Sequence, residues 1–346
     1  MAKYRTIKTV FMLSIIIINY NTFQLTVECI NSIKKSIISD YEIILIDNAS
    51  KDHPPKDFLT IFPSIKLIEL NENVGFGRAN NIGMQQAQGE YFLLLNSDTI
   101  IKEDALDKCL SYLKTHSNID ILGCRAEFPN GITQLTAFQY EGEHSLIRSI
   151  IYFIKRNSTV QYANQLYKKW KKEKNAVLRQ EQKKITEPTP NFAYGKRIGS
   201  LSGVFMMFNR KVYDETRGFD PDFFMYYEET EWFINRIYNR YTILYYPYAS
   251  IIHYCGQSDV HGAMSTQFWV SSALFWYKIS HLHLFFYSLF LWIDIPCNLF
   301  NYVFSGNKNY IVKIKQIWTT LKFIPVICRF SNSFNGRNAM LKVKIS

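Results

Sequence analysis

Two stretches of this chain carry side chains whose types and spacing could do chemistry. The first is Tyr91-Phe92-Leu93-Leu94-Leu95-Asn96-Ser97-Asp98, an apolar run that ends in a polar tip. Asn96 and Asp98 stand two apart, so on an extended chain their side chains leave on one face. Asp98 offers a hard oxygen to a divalent cation, and Asn96 offers an amide to a sugar or phosphate. The same residues would also cap a following helix, and the stretch alone does not decide between the two roles. The second stretch runs from Phe223 to Trp232, where Glu228, Glu229 and Glu231 crowd behind bulky apolar and aromatic residues. Carboxylates so close repel one another, which raises proton affinity and suits one of them to act as a general base. They would equally satisfy a helix N-terminus, and Arg236, about one turn below Trp232, can pair with one of the acids. His253 follows the apolar run Tyr245 to Ile252 and precedes Gly256. A lone histidine more often has a structural hydrogen-bonding role, and this position, after a strand and before a glycine, lowers those odds without reversing them.

These groups need a scaffold, and the apolar runs supply one. A short apolar run bounded by turn residues reads as a strand buried on both faces, and open α/β sheets take their ligands at the carboxyl ends of such strands. Val10 to Ile18, with its β-branched Ile15 to Ile18, is the first strand. Lys3, Arg5 and Lys8 before it imitate a signal peptide, but no small-residue cleavage site follows. Asn21 can cap a helix from Thr22 to Lys35, with Gln24 close to a capping box. Glu42 to Ile46 runs into Asp47-Asn48-Ala49-Ser50, and Ile65 to Leu70 runs into Asn71-Glu72-Asn73-Val74-Gly75-Phe76-Gly77. A helix over Arg78 to Gln88 then precedes the Tyr91 strand. Gly75 and Gly77 begin a dinucleotide fingerprint, but Asn80 stands where the third glycine belongs. What is left is a flexible turn into a helix, able to hold phosphate through backbone N–H groups. Asn80 and Asn81 are poor interior helix residues, which suggests a helix face looking into a polar site. Further helices are expected over Ile100 to Lys114 and Leu146 to Ile154, and after the acidic cluster as far as Arg240. Further strands are expected over Ile119 to Cys124, Ser200 to Asn209 and Tyr245 to Ile252. Pro129-Asn130-Gly131 reads as a turn, and Gly203 would permit close approach of a ligand to backbone. Strands alternating with helices call for a largely parallel sheet.

With 47% hydrophobic residues among 346, the chain is not disordered and can bury a substantial core. A net charge of +11 points to a polyanionic partner: a nucleotide-charged substrate, an anionic membrane or nucleic acid. No nucleic-acid-binding module is present, so that partner is not expected. Six scattered cysteines without CxxC spacing argue against zinc or a disulfide framework and suit a reducing cytosol. Residues 157–190 read as a basic insertion, a solvated helix face or, with Tyr162, Tyr167 and Trp170, a contact for an anionic membrane. Leu284 to Phe304 is long enough to cross a bilayer, yet Asp294, Pro296, Asn298 and Asn301 interrupt it. An interfacial helix pair fits better, with Trp292 and Trp318 at headgroup depth and Lys308, Lys313, Lys315 and Lys322 toward phosphates.

Taken in order, several motifs resemble the inverting glycosyltransferases of family 2, and within it the rhamnosyltransferase-like branch. They are Ile17 to Asn21; Ile46 to Ser50; Asn73 to Gly83; Leu95 to Asp98; and Gly218-Phe219-Asp220 with Phe223 to Glu231. The resemblance implies a GT-A fold, a Rossmann-like mixed sheet flanked by helices, over residues 1–264. The donor-binding half would be about 12–125 and the acceptor half about 126–264. Residues 265–346 would form a C-terminal, aromatic, membrane-associating helical region. It implies a nucleotide-diphosphate sugar, dTDP- or UDP-linked, as donor, and a glycan acceptor, suggested by the C-terminal region to be carried on a lipid. Asp47 would contact the base, helped by Asn19 and Asn21; Asn73, Gly75, Gly77, Asn80 and Asn96 complete the donor side. Asp98, with His253, would hold Mg2+ or Mn2+ on the diphosphate. Glu229 takes the place of the catalytic base, with Gly203, Glu228, Glu231 and Trp232 on the acceptor side. Glu at 229 and 231 replaces the family's usual Asp. One extra methylene moves a carboxylate by about an ångström, and a shift of that order can cost about 10²-fold in rate. The protein is expected in the cytoplasm, peripheral on the inner face of the cell membrane, and a homodimer is possible. The alternatives are a catalytically weak or inactive membrane-bound family member with an assembly role and a sugar nucleotidyltransferase, although the latter's basic glycine loop near the N-terminus is absent.

Overall fold

The computed structural model describes residues 12–36, 40–102, 104–138, 145–157, 160–161, 198–255, 263–330 and 342. They belong to two compact units. One comprises Met1–Tyr140, Pro190–Phe224 and Glu228–Asp259; the other comprises Glu141–Thr189, Met225–Tyr227 and Val260–Ser346.

The first unit is built on a mixed eight-stranded sheet. Its strands are β1 (Leu13–Asn19), β2 (Tyr41–Asp47), β3 (Lys66–Glu69), β4 (Tyr91–Asn96), β5 (Thr99–Ile101), β6 (Ile121–Glu127), β9 (Phe205–Asn209) and β10 (Ile243–His253). The order across the sheet is β3-β2-β1-β4-β9-β6-β10-β5, and β7 (Ala137–Phe138) pairs separately with β8 (Ser200–Leu201). The chain builds outward from β1 through β2 to β3, then returns to place β4 on the other side of β1, all parallel. That reversal makes a topological switch point, where the crevice beyond the carboxyl ends of β1 and β4 is the default ligand site of open α/β sheets.

Helices cover both faces. On one side α1 (Phe23–Lys34) and α4 (Ala105–Thr115) bury Cys29, Ile30, Leu106 and Leu113 against Ile15, Ile17, Leu93 and Leu95. On the other, α3 (Phe76–Gln86) brings Ala79 and Met84 to Ile16, Ile44, Phe92 and Leu94. Burial on both faces is why these strands read as unbroken apolar runs.

Three local readings are corrected. Ile100 does not open a helix: Thr99-Ile100-Ile101 forms β5, antiparallel on β10, as its β-branched residues favour, and α4 starts at Ala105. Ser200 to Asn209 is not one strand; it breaks around Gly203 into β8 and β9. After α6 (Arg210–Thr216), the helix at the acids is a single turn, α7 (Glu228–Glu231), continued by π-helix over Trp232–Ile237. A short helix, α2 (Asp57–Ile61), was not expected. β10 carries a bulge between Tyr246 and Ser250, where Pro247 lacks the N–H a regular ladder needs.

The second unit contains four described helices: α5 (Leu146–Arg156), α8 (Ala263–Ile279), α9 (His281–Ser305) and α10 (Asn309–Ile327). Ser280 caps α9 by accepting from the His283 N–H, and Gly306, at φ 66°, ends it in the left-handed conformation before α10 turns back. Apart from Asn157, Val160 and Gln161, the basic insertion lies outside the described residues.

Candidate active site

Asp98 and His253 are brought together by the β5–β10 ladder. His253 pairs in register with Thr99, and the Tyr254 N–H donates to the Asp98 carbonyl at 3.0 Å. The Asp98 Oδ1 then lies 3.3 Å from His253 Nε2, and the two residues are only 7% and 6% exposed. Gln134 fixes the state of the ring. Its Nε2 donates to the His253 carbonyl at 2.7 Å, so its Oε1 is the atom facing His253 Nδ1, also at 2.7 Å. A carbonyl oxygen only accepts, so Nδ1 carries the proton. In the neutral ring the Nε2 lone pair therefore faces a carboxylate oxygen. Two such donors 3.3 Å apart could share one cation; the carboxylate suits Mg2+ or Mn2+, and the imidazole favours Mn2+ over Mg2+. Among the described residues no third His, Cys, Asp or Glu joins them. Oxygens of water and ligand would complete the shell, as is usual for Mg2+. Asn96 sits partly exposed at the strand tip, as expected, with its N–H bonded to the Val204 carbonyl at 3.1 Å.

The acidic cluster reaches the same end of the sheet. Gly203 donates its N–H to Glu229 Oε1 at 3.2 Å, and its neighbour Val204 is the residue that accepts from Asn96. β4 and β9 are antiparallel with Leu95 opposite Phe205, so the end of one strand adjoins the start of the other. A Cβ at Gly203 would lie 2.8 Å from both Glu229 Oε1 and the Phe76 ring. Gly203 does permit a close approach, and what approaches is the Glu229 carboxylate.

Burial pushes the carboxyls of Glu228 and Glu229 upward. Glu228, 2% exposed, is held well above the usual range by burial first and the Glu229 charge second, and its Oε2 has no hydrogen-bond partner among the described residues. Glu229 is raised by burial and eased back by its own N–H and that of Gly203. Neighbouring buried carboxyls cannot both ionise cheaply, and the one with two N–H donors and partial exposure carries the charge first. That one is Glu229.

Glu231 and Trp232, expected on the acceptor side, are buried and engaged within the fold. Glu231 Oε2 is 2.5 Å from Arg236 Nη2, so the acid that pairs with Arg236 is this one. Burial raises its carboxyl while Arg236 opposes the rise. Trp232 is fully enclosed between Phe208 and Phe219 and donates Nε1–H to Thr216 Oγ1 at 2.9 Å. Helix geometry explains this: residues two apart point to nearly opposite faces, so Glu231 cannot share a pocket face with Glu229.

On the donor side the expected residues stand at the expected strand ends, but several are occupied in holding loops. Asp47 is 1% exposed; its Oδ1 accepts from Asn19 Nδ2 at 2.7 Å and its Oδ2 from the Ser50 N–H at 3.0 Å. Asn19 also donates to Ser50 Oγ, and its Oδ1 accepts from Thr22 and Thr26. Asn21, at φ 53°, takes Ser50 Oγ on its N–H and the Lys51 N–H on its Oδ1. The pair Asp47 and Asn19 is thus a latch between the β1 and β2 loops. At the Gly75 turn, expected to hold phosphate, three N–H groups are already bonded. Val74 donates to Asn48 Oδ1, Gly75 to Asn73 Oδ1 and Phe76 to the Phe224 carbonyl. Gly75 is required there for another reason: at φ 86°, a Cβ would meet the Phe224 carbonyl oxygen at 1.8 Å. Gly77 is buried, with Phe219 3.0 Å and Glu228 3.4 Å from where its Cβ would be. Asn80 donates to the Phe76 carbonyl of its own helix, and Asn81 clamps Phe219 through both its N–H and carbonyl. Buried backbone groups need partners, and these amides supply them.

Gln134 and Asn48 were not anticipated as site residues. A single glutamine after a turn carries no signal, whereas Asn48 stood beside Asp47 in a recognised motif. An open cavity of about 500 Å³ beside α1, lined by Glu28, Lys35, Ile100 and Tyr254, contains none of the candidate residues.

Residues 14–217 match the family described as Glycosyl transferase family 2. Glycosyltransferase GlyG of Streptococcus pneumoniae is 30% identical over 99 residues, covering 28% of this chain and 33% of its own length. Teichoic acid poly(glycerol phosphate) polymerase of Staphylococcus epidermidis is 29% identical over 112 residues, 31% of this chain and 15% of its own. The chain thus spans a third or less of these relatives' lengths. Among solved structures, mannosyltransferase PcManGT from Pyrobaculum calidifontis, in complex with GDP-Man and Mn2+, has a TM-score of 0.50 and 14% identity. The likeness covers 92% of this chain and 86% of that one, and the mixed sheet with flanking helices is the GT-A fold. The family match takes in more than half of the chain, from β1 to the end of α6, and this chain belongs to glycosyl transferase family 2.

Proposed function

We propose that this chain is an inverting glycosyltransferase of the rhamnosyltransferase-like kind. It moves rhamnose or a similar sugar from a dTDP- or UDP-linked donor to a lipid-carried glycan during surface polysaccharide synthesis. One observation carries the reading: the end of β4, two residues before Asp98, and the Glu229 carboxylate bond to adjacent residues, Asn96 N–H to Val204 O and Gly203 N–H to Glu229 Oε1. A teichoic acid polymerase among the relatives and a neighbour holding GDP-Man and Mn2+ support the polymer and donor classes. Six free cysteines suit a reducing cytoplasm.

Asp98 Oδ1 and His253 Nε2 would hold the divalent cation, with Gln134 keeping the ring's lone pair turned toward it. When bound, that cation offsets the charge of the departing diphosphate. Glu229 accepts the proton of the acceptor hydroxyl as that oxygen bonds to the anomeric carbon and the bond from that carbon to the diphosphate oxygen breaks. The proton ends on Glu229, and the bonding pair leaves with the nucleoside diphosphate. A single displacement with the base opposite the leaving group inverts the anomeric centre, by the geometry that also governs inverting hydrolases.

The test is a screen of UDP-, dTDP- and GDP-sugars with and without Mn2+, on wild type, Asp98→Ala and Glu229→Gln. Asp98→Ala should lose both the Mn2+-dependent thermal shift with nucleotide and turnover. Glu229→Gln should keep the shift and lose transfer by about 10²–10⁴-fold. Equal transfer rates in the three proteins would remove the assignment.

A further inference from the structure

In the second unit, the inner stripe of α9 buries Leu284, Tyr287, Phe290 and Leu291 in its first half and turns polar in its second. Asp294, Asn298 and Asn301 recur at i, i+4 and i+7, so they share one stripe, and none is exposed. The opposite stripe carries Phe285, Leu289, Trp292, Leu299, Phe300 and Val303, each between 45% and 70% exposed. A helix on a water-soluble domain turns its polar stripe outward. The inward charge is answered within the unit. Lys313 Nζ of α10 lies 3.3 Å from Asp294 Oδ2, and Asn157 Nδ2 donates to Asp294 Oδ1 at 3.1 Å.

The surroundings of the outer stripe identify what it fits. Trp292 meets Trp318 of α10 edge to face at 5.8 Å, and both are exposed. Lys315 and Lys322, three before and four after Trp318, are exposed too, and Lys322 Nζ lies 5.8 Å from the centre of the Trp318 ring. Between residues 281 and 330, Asp294 is the only acid, and it faces inward. α5 repeats the theme, with exposed Ile147, Ile151 and Ile154 beside exposed Arg148 and Lys155. Apolar side chains bordered by tryptophan and lysine match acyl chains, interface and phosphate in turn. A second copy would oppose one basic rim to another, which is repulsive.

We propose that the α9–α10 hairpin is a docking surface for an anionic phospholipid bilayer, lying in the plane of one leaflet with its apolar outer face in the acyl region. α9 is long and apolar enough to cross a membrane. A crossing hairpin, however, would carry the exposed Lys315 and Lys322 and the polar turn Ser305 to Asn309 through hydrocarbon, where such groups are costly. Lying flat leaves all of them at phosphate depth. This surface stands apart from the catalytic reading and is tested without it.

The experiment is flotation of the full chain with vesicles of phosphatidylcholine alone and of phosphatidylcholine with one quarter phosphatidylglycerol. Wild type should float with the anionic vesicles, at least ten-fold more than with neutral ones, and alkaline carbonate should release it. Leu289→Glu with Phe300→Glu should abolish flotation while circular dichroism and melting temperature stay unchanged, since both side chains are already in water. Lys315→Glu with Lys322→Glu should remove the anionic preference. Brominated lipid should quench tryptophan in wild type, and less so in Trp292→Phe with Trp318→Phe. The proposal is overturned by no flotation of wild type, by carbonate-resistant insertion with the Lys308 turn protected from trypsin, or by a vesicle-indifferent dimer that Leu289→Glu with Phe300→Glu disperses.

Discussion

Gln134 grips His253 at two points, its Nε2 on the backbone carbonyl and its Oε1 on Nδ1–H, each at 2.7 Å. The grip sets both the tautomer and the angle of the ring, so Nε2 is presented to Asp98 rather than turned away. Partners that orient a metal-binding histidine are worth about 10–100-fold in metal affinity. Gln134→Ala should therefore weaken Mn2+ binding in the presence of nucleoside diphosphate by that factor, read by electron paramagnetic resonance titration. Unchanged Mn2+ affinity with only a lower melting temperature would reduce Gln134 to a structural role.

Gly203 sets the position of Glu229. An alanine methyl there would sit 2.8 Å from both the Glu229 Oε1 and the Phe76 ring, so the carboxylate must shift or turn. A displacement of about an ångström at a reacting group can cost about 10²-fold. Gly203→Ala should lower kcat by that order and leave the KM for donor within about three-fold, because the groups at Asp98 are untouched. A fall in donor binding with kcat preserved would contradict the placement of Glu229 at the proton transfer.

How much of this could be read beforehand depends on what each residue answers to. β1, β2 and β4 declare themselves because burial on both faces demands unbroken apolar runs, and Asp47, Asn96 and Asp98 follow as their polar ends. β5 does not, since three residues become a strand only when β10 offers an edge. Asp47 and Asn19 were placed correctly at neighbouring strand ends, but their mutual hydrogen bond, which buries both, depends on register. The three glutamates were legible as a group and not as individuals. Which of them meets Gly203, which meets Arg236 and which keeps an unpartnered oxygen is set by the phase of one helical turn.

Glu228 gives a pH signature. Its carboxyl is raised in the folded protein, chiefly by burial and then by Glu229. A raised folded value means the fold binds the proton more tightly than the unfolded chain. The resulting stability is present in full below the ordinary glutamate range, about 4.3, and is lost as pH rises through the raised value, at about 1.4 kcal/mol for each unit of difference. Glu228→Gln keeps a neutral side chain of the same shape at every pH. Its melting temperature should exceed that of wild type above neutrality, and the gap should close by pH 4. A gap that widens on acidification would show that Glu228 is buried as a stabilised anion.

Glu231 provides the converse case: burial raises its carboxyl too, but Arg236 at 2.5 Å opposes the rise, so here the ion pair rather than burial sets the sign of a substitution's effect on stability. Its carboxylate answers Arg236, whose Nη1 also donates to the carbonyls of Thr216 and Gly218, tying the π-helical turn to the residues before Phe219. Removing one member of a buried ion pair leaves the other uncompensated and costs about 3–5 kcal/mol. Glu231→Gln should therefore lower the melting temperature markedly while transfer per folded molecule, measured well below the transition, stays near wild type. Arg236 would keep its bonds to the two carbonyls and lose the Glu231 carboxylate. Replacing both residues, Glu231→Leu with Arg236→Met, should recover part of the loss, but not all, because those carbonyls then lack donors. Loss of transfer in Glu231→Gln at unchanged stability would instead put this carboxylate back beside the acceptor.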